Sequence, residues 1–94
     1  MNDPLEKEIE RKVCEYAKSK GILVYKFSSP GMVSVPDRLL ILPCGLVFFI
    51  EFKRSGCKPT PKQLREHQRL QAQNVKVFVI DNVEDGKNLI NGIT

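Results

Sequence analysis

Asp37, Glu51 and Lys53 are the residues of this chain whose types and spacing best suit catalysis. Two carboxylates that face each other repel and are costly to remove from water, and a divalent cation between them relieves that cost. Carboxylate oxygens are hard ligands, which suit Mg²⁺ or Mn²⁺. A lysine beside such an ion can orient water or stabilise developing negative charge. The three residues therefore predict metal-assisted hydrolysis.

A β-hairpin would bring the two carboxylates together. Residues 38–42 and 46–52 are β-rich runs separated by a three-residue turn sequence that contains a glycine. A loop of that length pairs Leu42 with Leu46, the residues that flank it. Five residues further along each strand, Asp37 then lies opposite Glu51, with Cβ atoms about 5 Å apart. Alternation puts Lys53 on the same face as Glu51, and a register slip of one residue would separate the two carboxylates.

The same charges have a simpler interpretation. An acidic and a basic residue on one strand often form only a solvated cross-strand ion pair, which contributes little to stability. However, the run from Val47 to Ile50 is apolar on both faces and predicts a central strand. Charges at the end of a buried strand need a reason, which favours a functional site.

The remaining pattern predicts one compact α/β domain over residues 1–94. Helices are expected at 4–20, 61–73 and 84–90, and strands at 22–28, 38–42, 46–53 and 75–80. The order αβββαβ with a short closing helix fits a mixed central sheet flanked by helices. In this arrangement the first three strands form an antiparallel meander, and the second helix crosses over to the last strand.

The charge distribution points to an anionic partner. The chain has a formal net charge of +4, and residues 53–76 contain seven basic residues against one acid. This excess beside the predicted metal site is typical of a phosphate-binding surface, although an ordinary solvated helix face would look similar.

The cysteines and the hydropathy pattern predict a cytoplasmic protein. Three cysteines without paired metal spacing suit a reducing compartment. A zinc site formed by Cys44, Cys57 and His67 fits no structural zinc pattern, so we expect His67 to be a packed or polar helix residue. No apolar run reaches the ~20 residues needed to span a membrane, and no signal peptide is visible. We expect no membrane partner and no organic cofactor.

The order of the motifs resembles a known family. Pro36-Asp37 followed by Glu51-x-Lys53 is similar to the PD-(D/E)xK nuclease motif. An N-terminal helix with glutamates, the segments 31–38 and 49–53, and Thr60-Pro61-x-Gln63 narrow the resemblance to VRR-NUC, the virus-type replication-repair nucleases, in their stand-alone phage or bacterial form. The resemblance covers about residues 5–90. It implies a restriction-endonuclease-like core, in a bacterial cell or a phage-infected host.

The resemblance also implies further site residues. The backbone carbonyl of Phe52 would join Asp37 and Glu51 as a metal ligand. Family members carry a glutamate on the first helix near the metal, and either Glu6 or Glu10 could serve, since residues four apart share a helix face. The alternative is that both are exposed acids of the first turns that favour the helix dipole.

Gln63 has two interpretations. As the third helical residue after Thr60 and Pro61, it completes a capping box, which explains it structurally. In the family resemblance, the matching glutamine lies near the catalytic lysine and helps to place water or phosphate. Both functions can hold through different atoms.

Other residues are candidates for nucleic-acid contacts. They are Lys26, Ser29, Arg38, Arg54, Lys58, Lys62 and Arg65. The family resemblance implies the activity of a Mg²⁺- or Mn²⁺-dependent DNA endonuclease acting on branched or structured DNA, similar to a Holliday-junction resolvase. Because a four-way junction calls for two active sites related by a two-fold axis, we expect a homodimer. The alternative is a non-catalytic DNA- or RNA-binding or assembly module on the same fold.

Overall fold

The computed structural model describes residues 4–93 and contains every element that the sequence predicts. The helices are α1 (Pro4–Ser19), α2 (Pro61–Ala72) and α3 (Val83–Ile93), and the strands are β1 (Leu23–Lys26), β2 (Arg38–Ile41), β3 (Val47–Phe52) and β4 (Lys76–Ile80). The strands are shorter than predicted, and α3 extends three residues beyond its predicted end at 90. Residues 1–3 and 94 of the predicted domain lie outside the described residues.

The four strands form one mixed sheet in the order β1-β2-β3-β4. The first three strands are antiparallel, and β4 lies parallel to β3 after the crossover through α2. Arg38 is the partner of Ile50, and the backbone N–H of Leu42 donates to the carbonyl of Leu46 at 2.9 Å. The register predicted from the turn is therefore confirmed, as is the mixed sheet flanked by helices.

One face of the sheet, here called the core face, is dry and packs against α1 and α3. Leu40 of β2 and Phe48, Ile50 and Phe52 of β3 are fully buried there. They join a cluster with apolar residues of both helices, including Ile9, Val13, Ala17 and Ile90. Burial of this continuous apolar surface is the main stabilising contribution to the fold.

A close approach between α1 and α3 completes the core. A Cβ atom added at Gly86 of α3 would overlap the side chain of Val13 on α1. Glycine at this position therefore allows the two helices to pack closely on the core face. None of the helices within residues 4–93 is long and apolar enough to cross a membrane.

The opposite face of the sheet, here called the site face, carries α2 and the side chain of Glu51. The loop between β1 and β2 also reaches this face, since the ring of Phe27 packs against that of Phe49 with centroids 4.9 Å apart. The backbone N–H of Phe27 donates to the carbonyl of Asp37 at 2.9 Å. These contacts therefore fix both ends of the loop, at Phe27 and at Asp37, next to the predicted site.

Candidate active site

Asp37 lies immediately before β2 and is tied to the neighbouring strand. Its Oδ2 accepts a hydrogen bond of 2.7 Å from the backbone N–H of Phe52. Burial raises the pKa of the Asp37 carboxyl above its usual range, although the Phe52 hydrogen bond and the charge of Lys53 oppose that shift. Asp37 is therefore a partly desolvated carboxylate beside the end of β3.

Glu51 is the most buried charged residue of the sheet. Its exposed fraction is 2% because β3 is flanked by β2 and β4 and covered by α2. Burial, followed by the negative charge of Asp37, raises the pKa of the Glu51 carboxyl to about 8. Lys53 counters only part of this effect, since its Nζ lies 3.9 Å from Oε2 of Glu51. The two acids are thus a destabilised pair that a further cation would relieve.

Helix α2 begins with a capping box that also orients Gln63 toward Glu51. Thr60 Oγ1 accepts from the backbone N–H of Gln63 at 3.2 Å, and Gln63 Oε1 accepts from the N–H of Thr60 at 2.9 Å. Because the amide oxygen is engaged in capping, the amide nitrogen points outward and donates to Oε2 of Glu51 at 3.2 Å. Gln63 therefore caps its helix and contacts the buried carboxylate at the same time, through different atoms.

His67 is the residue of the site that sequence reasoning missed. It lies one helical turn after Gln63, and its Nε2 is 3.4 Å from Oε1 of Glu51. The sequence left open whether it was a packed or a polar helix residue, and the structure shows it buried against the Glu51 carboxylate. Burial lowers the pKa of His67, so the neutral ring can donate from Nε2. The spacing of four residues from Gln63 was the available signal, because such residues share a helix face.

The two carboxylates thus form one polar cluster with Lys53, Gln63 and His67 at the end of β3.

Two comparisons with known proteins identify relatives of this chain. No protein-family model matches the chain. The chain is 48% identical over 77 residues to "Putative nuclease p44" of Acyrthosiphon pisum secondary endosymbiont phage 1, covering 82% of this chain and 83% of that protein. It also superimposes on a solved structure described as "VRR_NUC domain" with a TM-score of 0.88 and 36% identity, covering 95% of this chain and 97% of that one.

The chain belongs to the VRR-NUC family. The resemblance seen in the motifs is therefore confirmed, together with the restriction-endonuclease-like α/β fold that it implied. Belonging to this family makes the protein a nuclease domain. The individual site residues remain predictions that rest on geometry.

In this VRR-NUC domain, Glu10 and Arg38 are bound to each other. Arg38 Nε donates to Glu10 Oε2 at 2.6 Å, and only 21% and 18% of the two side chains are exposed. Sequence reasoning expected either Glu6 or Glu10 near the metal, and Arg38 on nucleic acid. The structure places them together, where the pair joins α1 to the start of β2.

Glu6 is half-buried on α1. The negative charges of both Glu6 and Glu10 help to raise the pKa of Glu51, so both glutamates lie within electrostatic reach of the carboxylate pair. The metal-site function that the family resemblance implied for one of these glutamates stays a prediction. Glu10 is in addition engaged by Arg38 at short range.

The predicted nucleic-acid contacts fall into two groups. Arg54, Lys58, Lys62 and Arg65 are exposed on the loop after β3 and on the first turns of α2, beside the polar cluster. The loop is held by a hydrogen bond of 3.1 Å from the Gly56 N–H to Asp81. Lys26 and Ser29 are exposed at the end of β1 and in the following loop. Basic side chains therefore flank the polar cluster on both sides.

The donor set fits a hard divalent cation that keeps part of its water. Within residues 4–93, no three His, Cys, Asp or Glu side chains form a closed metal cage. Asp37 and Glu51 would thus need water, backbone or phosphate oxygens to complete a coordination sphere, as is usual for Mg²⁺. The zinc alternative gains no support, since Cys44 and Cys57 are exposed while His67 contacts Glu51.

Proposed function

We propose that this VRR-NUC domain is a metal-dependent endonuclease that hydrolyses phosphodiester bonds of branched DNA. The observation that carries the proposal is the carboxylate pair of half-buried Asp37 and buried Glu51. Burial raises both pKa values, and Lys53 lies beside the pair. A fold does not keep two desolvated acids together without compensation, and a divalent cation is the compensation that also serves phosphoryl chemistry.

Asp37, Glu51 and the backbone carbonyl of Phe52 are the groups that would hold Mg²⁺ or Mn²⁺. When bound, such an ion polarises a phosphate oxygen and acidifies coordinated water. The chain positions these groups through backbone structure: the Phe52 N–H fixes the Asp37 carboxylate at 2.7 Å, and β3 pairing fixes Glu51. Preorganisation of this kind lowers the cost of assembling the site around the substrate.

Lys53 supplies the positive charge of the chain itself. Its ammonium lies 3.9 Å from Glu51 Oε2, at the end of the strand and 15% exposed. In this position it stabilises negative charge as it develops on the phosphate oxygens, or orients the attacking water. It is held there because its backbone N–H donates to the carbonyl of Ile80 at 2.9 Å.

Gln63 and His67 hold Glu51 in one orientation. Gln63 binds Oε2 and His67 lies against Oε1, so each carboxylate oxygen has a partner on α2. Both partners come from a helix whose start is fixed by the capping box. We therefore assign these two residues to positioning, and Gln63 in addition to placing water or phosphate.

Branched DNA as the substrate and a homodimer as the active form belong together. A symmetric four-way junction requires two cuts, and this chain contains one carboxylate pair among its described residues. A second copy would supply the second site. The edge strand β1 leaves half of the side-chain surface of Leu23 and Tyr25 exposed, which is compatible with association between copies.

Cleavage of a labelled four-way DNA junction tests the proposal. Linear duplex and single strand serve as comparison substrates, with Mg²⁺ or Mn²⁺ and with EDTA. We expect paired symmetric nicks in the junction that disappear with EDTA and in Lys53→Ala, whereas Lys20→Ala, a distant exposed lysine, cuts normally. Binding of all three substrates without a cut would contradict the proposal and favour a non-catalytic binding module.

A further inference from the structure

A cleft on the other side of β2 from the carboxylate pair has no assigned function. It lies between α1 and the ends of β1 and β2 and encloses about 360 Å³. Cationic side chains dominate its lining: Lys7, Arg11, Lys18, Lys26 and Arg38, against Glu10 and Glu15. We call this cleft the α1 groove.

The spacing of the α1 residues makes the groove elongated. Lys7, Arg11, Cys14 and Lys18 recur every three or four positions and therefore lie along one helix face. From Lys7 to Lys18 the helix rises about 16 Å, which matches roughly five nucleotide steps of one strand of duplex DNA. A row of this length suits a polymeric anion better than a small one.

The charges in the groove do not cancel. Arg38 is engaged by Glu10 at 2.6 Å, and Arg11 by Glu15 at 3.4 Å. Among the described residues, Lys7, Lys18 and Lys26 have no acidic partner within ion-pair distance, so three positive charges remain. These exposed ammonium groups are available to a ligand.

The floor of the groove adds no opposing charge. Cys14 is 5% exposed and lies beneath the row of cations. Burial raises the pKa of the Cys14 thiol to about 11, so this group is neutral near pH 7. The anionic groups in the lining are therefore the two glutamates already bound to arginines.

The groove lies next to the candidate active site, across the start of β2. Lys26 is the sheet partner of Arg38, so both side chains project on the same side of the sheet. Arg38 directly follows Asp37, which contributes to the carboxylate pair. The groove and the site therefore lie at the same end of the sheet, on opposite sides of the start of β2.

We propose that the α1 groove binds the phosphate backbone of a DNA strand that extends away from the cleavage site. The inference rests on the proposed function for its choice of DNA. The basic residues of α2 then contact the substrate on one side of the site and the groove contacts it on the other. Such a second contact favours DNA that bends or branches at the active site over a straight duplex.

The test compares two triple variants with the same change in charge. Lys7→Gln, Lys18→Gln and Lys26→Gln remove the unpaired lysines of the groove. Lys12→Gln, Lys20→Gln and Lys87→Gln remove three exposed lysines that do not line it. Binding of fluorescein-labelled junction and duplex DNA is measured by anisotropy in EDTA from 50 to 300 mM NaCl. Thermal unfolding verifies that both variants are folded.

We expect the groove variant to bind the junction about tenfold or more weakly, with a salt slope reduced by about two to three. The control variant should change affinity by less than about twofold. Equal losses in the two variants, or no loss in the groove variant, would overturn the proposal. Because the assay contains EDTA and measures binding alone, it answers this question even if the protein cuts no DNA. In contrast, failure of cleavage with normal groove-dependent binding would count against the proposed nuclease function alone.

Discussion

The two faces of the sheet differ in what covers them and in what they contribute. On the core face, Leu40, Phe48 and Ile50 are fully buried against the apolar faces of α1 and α3. On the site face, α2 has one buried residue, His67, and its contact with the sheet there is to a carboxylate. Since β3 alternates between the faces, one strand supplies both the core aromatics and Glu51. Because successive side chains of a strand point to opposite faces, the residues that stabilise the fold and the residues of the candidate site lie on different faces of the same sheet.

The separation predicts that a site-face carboxylate can be neutralised without loss of the fold. Glu51→Gln should reduce cleavage by about 10²- to 10³-fold or more, because it removes a metal ligand and its charge. The melting temperature in EDTA should stay unchanged or rise, since the variant removes a buried acid whose ionisation the folded protein disfavours. Single-turnover cleavage and thermal unfolding measure the two effects. Glu84→Gln, on the exposed start of α3, is the matched control and should change neither.

A core-face truncation should show the opposite behaviour. Phe48 is fully buried and packs edge-on against Phe78 with centroids 5.6 Å apart. Phe48→Ala should lower the free energy of unfolding by about 3–5 kcal/mol. Urea denaturation measures this loss, and cleavage per folded molecule at low temperature should be retained. A variant that is stable but inactive would show that the faces are not separable.

The Arg38–Glu10 pair sharpens the comparison, since it is a charged pair on the core-face side of the sheet, where α1 meets the start of β2. Arg38→Met leaves a largely buried Glu10 without its partner and should cost about 1–3 kcal/mol. The double variant with Glu10→Met should recover most of that stability, because neither charge is then left unpaired. Urea denaturation of both variants checks this. If Glu10 acts catalytically, the double variant regains stability but still cuts poorly.

The pH dependence of stability reports the buried carboxylate directly. Because the folded-state pKa of Glu51 is raised to about 8, the folded protein holds a proton that the unfolded chain releases near pH 4.5. Stability in EDTA should therefore fall as pH rises toward 8. His67 works in the opposite sense below pH 6.5, because its folded-state pKa is lowered and the unfolded chain gains the proton first.

The window from pH 6.5 to 8 isolates the glutamate. Across it, wild type should lose about 1–2 kcal/mol, or roughly 5–10 °C in melting temperature. Thermal unfolding of Glu51→Gln over the same range should give a nearly flat profile. An equally steep profile in the variant would assign the dependence to another group.

The smallest expected effect concerns the start of α2. Thr60→Ala removes the N-cap and should cost about 1 kcal/mol. It also releases the Gln63 amide that now points at Glu51, so we expect a several-fold loss of cleavage. Thr60→Ser preserves the cap and serves as the control in thermal unfolding and cleavage assays. Normal cleavage by Thr60→Ala would show that the capping box is purely structural.

Local sequence signals predicted much of this arrangement. The turn around Gly45 and the alternation of β3 were sufficient to predict the hairpin register. The start of α2 was predicted from Thr60, Pro61 and Gln63. These features depend on neighbouring residues. The hydrogen bond from the Phe52 N–H to Asp37 is consistent with that register. It was not predicted, because nearly every residue has a backbone N–H and the sequence does not indicate which one binds a side chain.

Tertiary contacts account for what the sequence did not reveal. The Arg38–Glu10 pair joins residues 28 positions apart, and the His67–Glu51 contact joins residues 16 apart. Their partners depend on how α1 and α2 dock on the sheet, which periodicity does not specify. The α1 groove was missed for the same reason, since its lysines come from a helix and an edge strand.

Binding of Mn²⁺ in the absence of DNA tests the central claim most directly. Electron paramagnetic resonance of free Mn²⁺ at pH 8 would be followed during titration with wild type and with Glu51→Gln. We predict saturable binding to wild type, a rise in its melting temperature with Mn²⁺, and loss of both in the folded variant. Equal Mn²⁺ binding by the variant, or none by a wild-type protein that is folded and cuts DNA, would contradict the assignment of Asp37 and Glu51 as the metal site.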